Sequence, residues 1–274
     1  MNQLPPFILP LVAMLAVFSG NAAGQTPATP KLAPVANNNG FRHWKDDFSD
    51  STSYENHWVP YGRLANMKWQ QGIKGHWPDT GNFARPEWWQ VVDSTLRAQN
   101  FPDEAHPAGN ARRIEGDGDF RFQGRLKLAP ECEAMFKFRG KSAGKFPPEK
   151  TDSHSIVLSV SGTGLKLTNM NSYRENAPQP ATGAAAEKPE PARFRKSVFE
   201  KATENVAVIP AEWHELAMEL RGKQFKAHLD GKEVLACTLD EEQRQTMVSF
   251  SLEVNGNKKE TGVAWFDDFS FEAL

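Results

Sequence analysis

The sequence has little tyrosine, little cysteine and no surplus of charge. Of its 274 residues only 3 are Tyr, against 8 Trp and 18 Phe. Lys and Arg total 32 and Asp and Glu 34, a formal net charge of −2. No global field of either sign draws such a chain to nucleic acid or to an anionic lipid surface, so a polar ligand without net charge is the expected partner. The two cysteines, Cys132 and Cys237, each lie in a strand-like run. A disulfide between them would tie distant strands, two buried thiols would not, and both readings stay open. There is no HExxH motif and no Cys/His zinc spacing, which removes the usual transition-metal signatures. No long stretch keeps a helical period.

The apolar run from Pro6 to Gly20 is shorter than the about 20 residues a spanning helix needs. The small residues Ala22, Ala23 and Gly24 follow it, which is what a signal peptidase reads. Residues 1–24 are therefore expected to be a signal peptide and the mature chain to be secreted or periplasmic, with no membrane anchor. Residues 25–40 read as a Pro/Ala/Asn linker with too few large apolar groups to pack. Structure is expected from 41 to 274.

From Phe41 onward, short alternating runs dominate. The stretch WHELAMELRGKQFKAHLDGKEVLACT, Trp213 to Thr238, is the clearest. Leu216, Met218 and Leu220 alternate with polar residues, as do Phe225, Ala227 and Leu229, and Asp230-Gly231 suits a two-residue type I′ turn. A three-strand antiparallel meander follows from this pattern. Similar runs separated by turn residues fill the chain to its end, and with 39% apolar residues they support an all-β sandwich with a real core. Residues 175–196, rich in Pro, Ala and charge, read as a long mobile loop within it.

Three motifs carry a family resemblance. WQVVDSTL places Trp89, Val91, Asp93 and Leu96 on a W-x-V-x-D-G-x-L pattern, with Ser94 where Gly is usual. The meander resembles W-x-x-L followed by L-D-G-x-x-V, and WFDDFSF near the end resembles a closing F-D-D strand. Together they resemble concanavalin A-like jelly rolls, in particular the secreted bacterial 3-keto-disaccharide hydrolase domain, akin to laminin-G-like and glycoside hydrolase family 16-like folds. The resemblance implies an antiparallel jelly-roll β-sandwich, a carbohydrate partner and, if the chain is an enzyme, a glycosidic bond as its target. The family's N-S-G strand and the E-x-D-x-x-E signature of glycoside hydrolase family 16 have no counterpart here. The run EGDGDF, with Glu115, Asp117 and Asp119, reads as a turn because glycines separate its acids.

Indoles stack on the C–H faces of sugars, while Arg, His and carboxylates bond their hydroxyls. The segment from Asn56 to Arg113 is rich in Trp and His, and Trp69, Trp77 and Trp88 are its ligand-binding candidates. If Trp88 and Trp89 share a strand they face opposite sides, with Trp89 in the core and Trp88 turned to the ligand. The run from Asp103 to Arg113 reads as one polar loop. It offers Asp103, Glu104 and His106 as candidate catalytic groups and Arg112 and Arg113 as ligand contacts, with His154 as a further contact. In the closing strand, Trp265, Asp267, Phe269 and Phe271 are expected on one face. A carboxylate there needs a salt bridge, backbone donors or a cation, and calcium held by Asp267 with Asp46 or Asp47 is the only cofactor considered. The expected function is an exported carbohydrate-binding sandwich, non-catalytic, with a glycoside hydrolase or lyase as the first alternative and a structural envelope or matrix protein as the second.

Overall fold

A computed structural model describes residues 40–61, 87–104, 106–142, 153–175, 193–203, 206, 208–239, 245–257 and 259–274. Nearly all of them lie in two antiparallel sheets. The first contains β1 (His43–Asp46), β3 (Trp89–Val92), β4 (Thr95–Asn100), β6 (Phe120–Leu128), β11 (His214–Arg221), β12 (Gln224–Leu229), β13 (Lys232–Thr238) and β15 (Gly262–Ala273). Its order is β13-β12-β11-β6-β15-β4-β3, with β1 also against β15. The second contains β2 (Val59–Tyr61), β5 (Ala108–Gly116), β7 (Glu133–Ser142), β8 (Ser153–Ser161), β9 (Gly164–Glu175), β10 (Arg193–Ala202) and β14 (Gln245–Asn255). Its order is β10-β9-β8-β7-β14-β5-β2. A short helix, α1 (Ser51–His57), joins β1 to β2. No helix among the described residues is long and apolar enough to cross a membrane.

Alternation explains why these runs pack as they do. In β6, Phe120, Phe122, Leu126 and Leu128 are buried, while Arg121, Gln123, Arg125 and Lys127 are only partly covered. Phe136 and Phe138 of β7, Phe250 of β14, and Phe266, Phe269 and Phe271 of β15 meet them between the sheets. Phe120 stacks on Phe138 with centroids 4.1 Å apart. Each buried Phe contributes about 1.5–3 kcal/mol relative to an exposed one, and this aromatic layer holds the sheets together.

The meander is present as β11, β12 and β13, and Asp230 and Gly231 both have positive φ, as a type I′ turn requires. The β3–β4 turn is of the same kind although it lacks glycine, with Asp93 at φ 50 and Ser94 at φ 56. The run EGDGDF is a turn: β5 ends at Gly116 and β6 begins at Phe120. Cys132 and Cys237 are free thiols, the first buried.

The structure differs from the sequence reading at several points. Trp265, Asp267, Phe269 and Phe271 do not share a face. A one-residue bulge between Asp267 and Ser270, with Asp268 at φ 52, reverses the alternation. Trp265 and Asp267 face outward, and Phe269 and Phe271 face the core. Gly124 of β6 makes room for the displaced ring, since a Cβ there would sit 2.3 Å from Phe269 Cδ1. The polar run from Asp103 to Arg113 is a loop only as far as Pro107, because β5 starts at Ala108. The segment 175–196 is loop over less than its length: Glu175 ends β9, residues 193–196 pair with it in β10, and residues 176–192 lie outside the described residues.

A polar group is sealed between the sheets. Asp46 of β1 accepts from Trp58 Nε1 at 2.8 Å, from the Phe48 amide at 3.1 Å and from Arg112 Nη1 at 3.3 Å. The Arg112 guanidinium also lies 4.2 Å from the centroid of Trp44. Burial pulls Arg112 down to about 10, although Asp46 opposes the shift. Nearby, Asn110 donates to the Tyr54 hydroxyl at 3.1 Å, and burial raises that phenol well above its ordinary value.

Candidate functional site

The expected site residues do not converge. Trp88 lies in the turn before β3, not on the strand, so strand alternation does not govern it. It is fully buried, Trp89 beside it is buried too, and its indole N–H donates to Glu104. The other oxygen of Glu104 accepts from Asn100 Nδ2 at 2.5 Å and from the Phe101 amide at 3.0 Å. Glu104 therefore braces a loop, while Asp103 and His106 stand exposed on it. Arg112 points into the core and Arg113 away from it, because they are consecutive on β5. Arg113 pairs with Glu115 at 2.7 Å and lies over the Phe41 ring. His154 is buried against the Asn169 side chain. Trp69 and Trp77 lie outside the described residues.

The acids considered for calcium are bound by protein donors. Asp47 accepts from the Ser49 amide at 3.0 Å and its hydroxyl at 2.6 Å, bonds that lower its pKa. Asp267 accepts from Arg125 at 3.2 Å and from the Asp268 amide at 2.8 Å. Burial, and then the neighbouring Asp268 charge, raise its pKa. Among the described residues no group of three or more His, Cys, Asp and Glu could hold a metal ion, and two acids fall short of calcium's usual 6–8 oxygens.

A surface that sequence reading missed is the outer face of the seven-stranded sheet. A register shift between Met247 and Ser249 sets the phase of β14 so that Phe250, Leu252 and Val254 enter the core. Ser249, Ser251 and Glu253 therefore face outward, opposite Arg139, Lys137 and Met135 of β7. Ser155 of β8 lies opposite Arg139 on the same face. The serines are low in this lattice: Ser155, Ser249 and Ser251 are 5%, 4% and 2% exposed beneath longer neighbours. Lys137 Nζ lies 3.4 Å from Glu253 Oε1, with both side chains largely covered. Glu133 begins β7 opposite Asn255, while Met135 is opposite Glu253. Glu133 and Glu253 are thus one diagonal step apart, an inter-residue separation of about 7–8 Å. The signal in the sequence was the alternation of Glu133, Met135, Lys137 and Arg139, legible only once a second strand supplies Glu253.

No protein-family model matches the chain, and no curated protein matches it. Its fold is similar to that of a β-glucanase of Bacillus licheniformis, with a TM-score of 0.50 and 11% identity over 85% of this chain and 99% of that one. A chain described as a sialidase gives a TM-score of 0.50 and 11% identity over 85% of this chain and 18% of its own. The κ-carrageenase of Pseudoalteromonas carrageenovora gives a TM-score of 0.49 and 9% identity, over 83% of this chain and 93% of that one. At such identities the likeness is one of fold. The chain is a concanavalin A-like jelly-roll β-sandwich of antiparallel strands.

Proposed function

We propose that the protein acts on carbohydrate polymers as a glycoside hydrolase or lyase, with the outer face of the seven-stranded sheet as its substrate face. The observation that carries this reading is the pair Glu133 and Glu253, on adjacent strands and one diagonal step apart, with Lys137 against Glu253. Glycoside hydrolysis ordinarily uses two carboxyl groups, about 5–5.5 Å apart in retaining enzymes and about 6.5–9.5 Å in inverting ones. A diagonal pair reaches that range by choice of rotamer. A β-glucanase shares the fold. Export by residues 1–24 is part of the proposal, since such polymers lie outside the cell; protein recovered from an exporting host is expected to begin near Ala23 to Gln25 by intact mass.

The test is release of reducing ends from a panel of neutral and acidic polysaccharides. Glu253→Gln and Glu133→Gln are each expected to reduce release at least about 100-fold, the lower end for general acid–base groups. Release by both variants at the wild-type rate would remove the pair from the chemistry. The second reading is glycan binding without cleavage, favoured by the Lys137–Glu253 ion pair, which already engages one of the two carboxylates. It predicts retention on one of the same polysaccharides with no product, weakened by Lys137→Gln.

A further inference from the structure

Four of the eight Trp residues, Trp44, Trp58, Trp88 and Trp89, are buried between or beside the sheets. Trp213 and Trp265 are half-buried on the outer face of the eight-stranded sheet, on the opposite side of the sandwich from Glu133 and Glu253. Trp265 of β15 lies directly opposite Lys127 of β6 on one side and Arg97 of β4 on the other. Arg97 in turn lies opposite Gln90 of β3 and donates to its side-chain oxygen. Trp213 immediately precedes His214, which pairs with Leu126, so Trp213 falls beside Lys127. The face therefore carries one transverse row: Trp213, Lys127, Trp265, Arg97 and Gln90.

The row is held by stacking. Lys127 Nζ lies 4.4 Å from the Trp265 centroid and 5.2 Å from that of Trp213, and Arg125 Cζ lies 4.8 Å from Trp213. A cation between two indoles fixes both rings in place, so little ordering remains to be done on binding. Strands are about 4.8 Å apart, which sets the two indoles about 10 Å from each other with a cation between them. Among the described residues Asp267 and Asp268 pair with Arg125, Glu219 and Glu272 with Arg121, and Glu233 with Lys226, while Glu215 stands exposed opposite Arg125. Lys127 makes no ion pair there, and Arg97 has only the neutral Gln90 as acceptor, its Nε lying buried without one.

We propose that this row binds an acidic polysaccharide, with sugar faces on Trp213 and Trp265 and carboxylate or sulfate groups on Lys127 and Arg97. A neutral glycan uses the indoles and leaves the two cations without counter-charge. An acidic peptide uses the cations and lacks the flat C–H faces that suit spaced indoles.

The experiment is affinity electrophoresis of the full chain through gels containing heparin, alginate, dextran or polyglutamate, with thermal melting to confirm folding. Alginate carries carboxylate alone, and heparin carries sulfate as well. Retardation by at least one of these is expected, with none by dextran and less by polyglutamate, and with retardation falling as salt rises. Lys127→Gln and Trp265→Ala are each expected to weaken it by about twofold to tenfold, the range for one aromatic contact. Equal retardation by dextran overturns the charge assignment, and equal retardation by polyglutamate overturns the glycan assignment. Unchanged retardation in Lys127→Gln, an exposed-face substitution that leaves the core intact, overturns the site. Retardation is read on Lys127→Gln and Trp265→Ala and product release on Glu133→Gln and Glu253→Gln, on opposite faces of the sandwich, so failure here is separable from failure of the Glu133–Glu253 proposal.

Discussion

Asp46→Asn is the most informative stability test, because it removes one charge and keeps nearly all the volume. Asp46 and Arg112 are 2% and 3% exposed in their side chains, and Asp46 holds three donors at once. Arg112 is already costly inside, since burial pulls its pKa down to about 10 even with Asp46 opposing it. Without the carboxylate the guanidinium is uncompensated, and the amide N–H2 adds donors where donors already crowd. Breaking one partner of a buried ion pair costs about 3–5 kcal/mol. At about 2–4 °C per kcal/mol for a domain of this size, Tm should fall by roughly 6–20 °C. Glu115→Gln is the control, since its pair with Arg113 is exposed and should cost under about 1 kcal/mol. Differential scanning calorimetry reads both. If Asp46→Asn melts no lower than Glu115→Gln, the sealed pair is not the constraint inferred from its burial. Adding Arg112→Met to Asp46→Asn should recover much of the loss, and a further drop would contradict the electrostatic account.

Trp88→Ala should cost about 3–5 kcal/mol in denaturant titration, because the ring is fully buried and its loss also removes a donor from Glu104. Gly124→Ala should cost about 1–3 kcal/mol by overpacking, and Phe269→Leu in the same chain should reduce that cost, because the added Cβ meets the Phe269 ring. Burial, the largest influence on Glu219, raises its pKa, but bonds from Arg221 and Arg121 bring it below the usual value. Its stabilisation is therefore complete above the ordinary carboxylate range and lost as pH falls through the lowered value, so Glu219→Gln should flatten the acid limb of a stability–pH curve below about pH 4.5.

The alternation from Trp213 to Thr238 gave the meander with its turn, because both periodicity and the Asp-Gly pair are local signals. Positions that depend on a distant partner were not legible. Trp88 and Trp89 look like one strand in sequence, yet the strand begins at Trp89, and what buries Trp88 includes Glu104. Asn110 and Arg112 looked like loop residues because the donors and acceptors that satisfy them inside, Tyr54 and Asp46, come from elsewhere in the chain. The bulge at Asp268 carries no glycine to announce it. The carboxylate pair was invisible for the same reason, since Glu133 and Glu253 are neighbours only through the β7–β14 ladder.

The placement of β14 and β15 sets a timetable for folding. They are the last two strands in sequence, and each lies inside a sheet: β14 separates β7 from β5, and β15 separates β6 from β4. Until both have been synthesised, neither sheet can close, and four strand edges stay unpaired beside aromatic side chains such as Phe120, Phe122, Phe136 and Phe138 that the closed sandwich buries. Pairings between such distant segments form slowly, and open edges invite association with other chains. The two halves of each sheet therefore have nothing to join them until these strands are available.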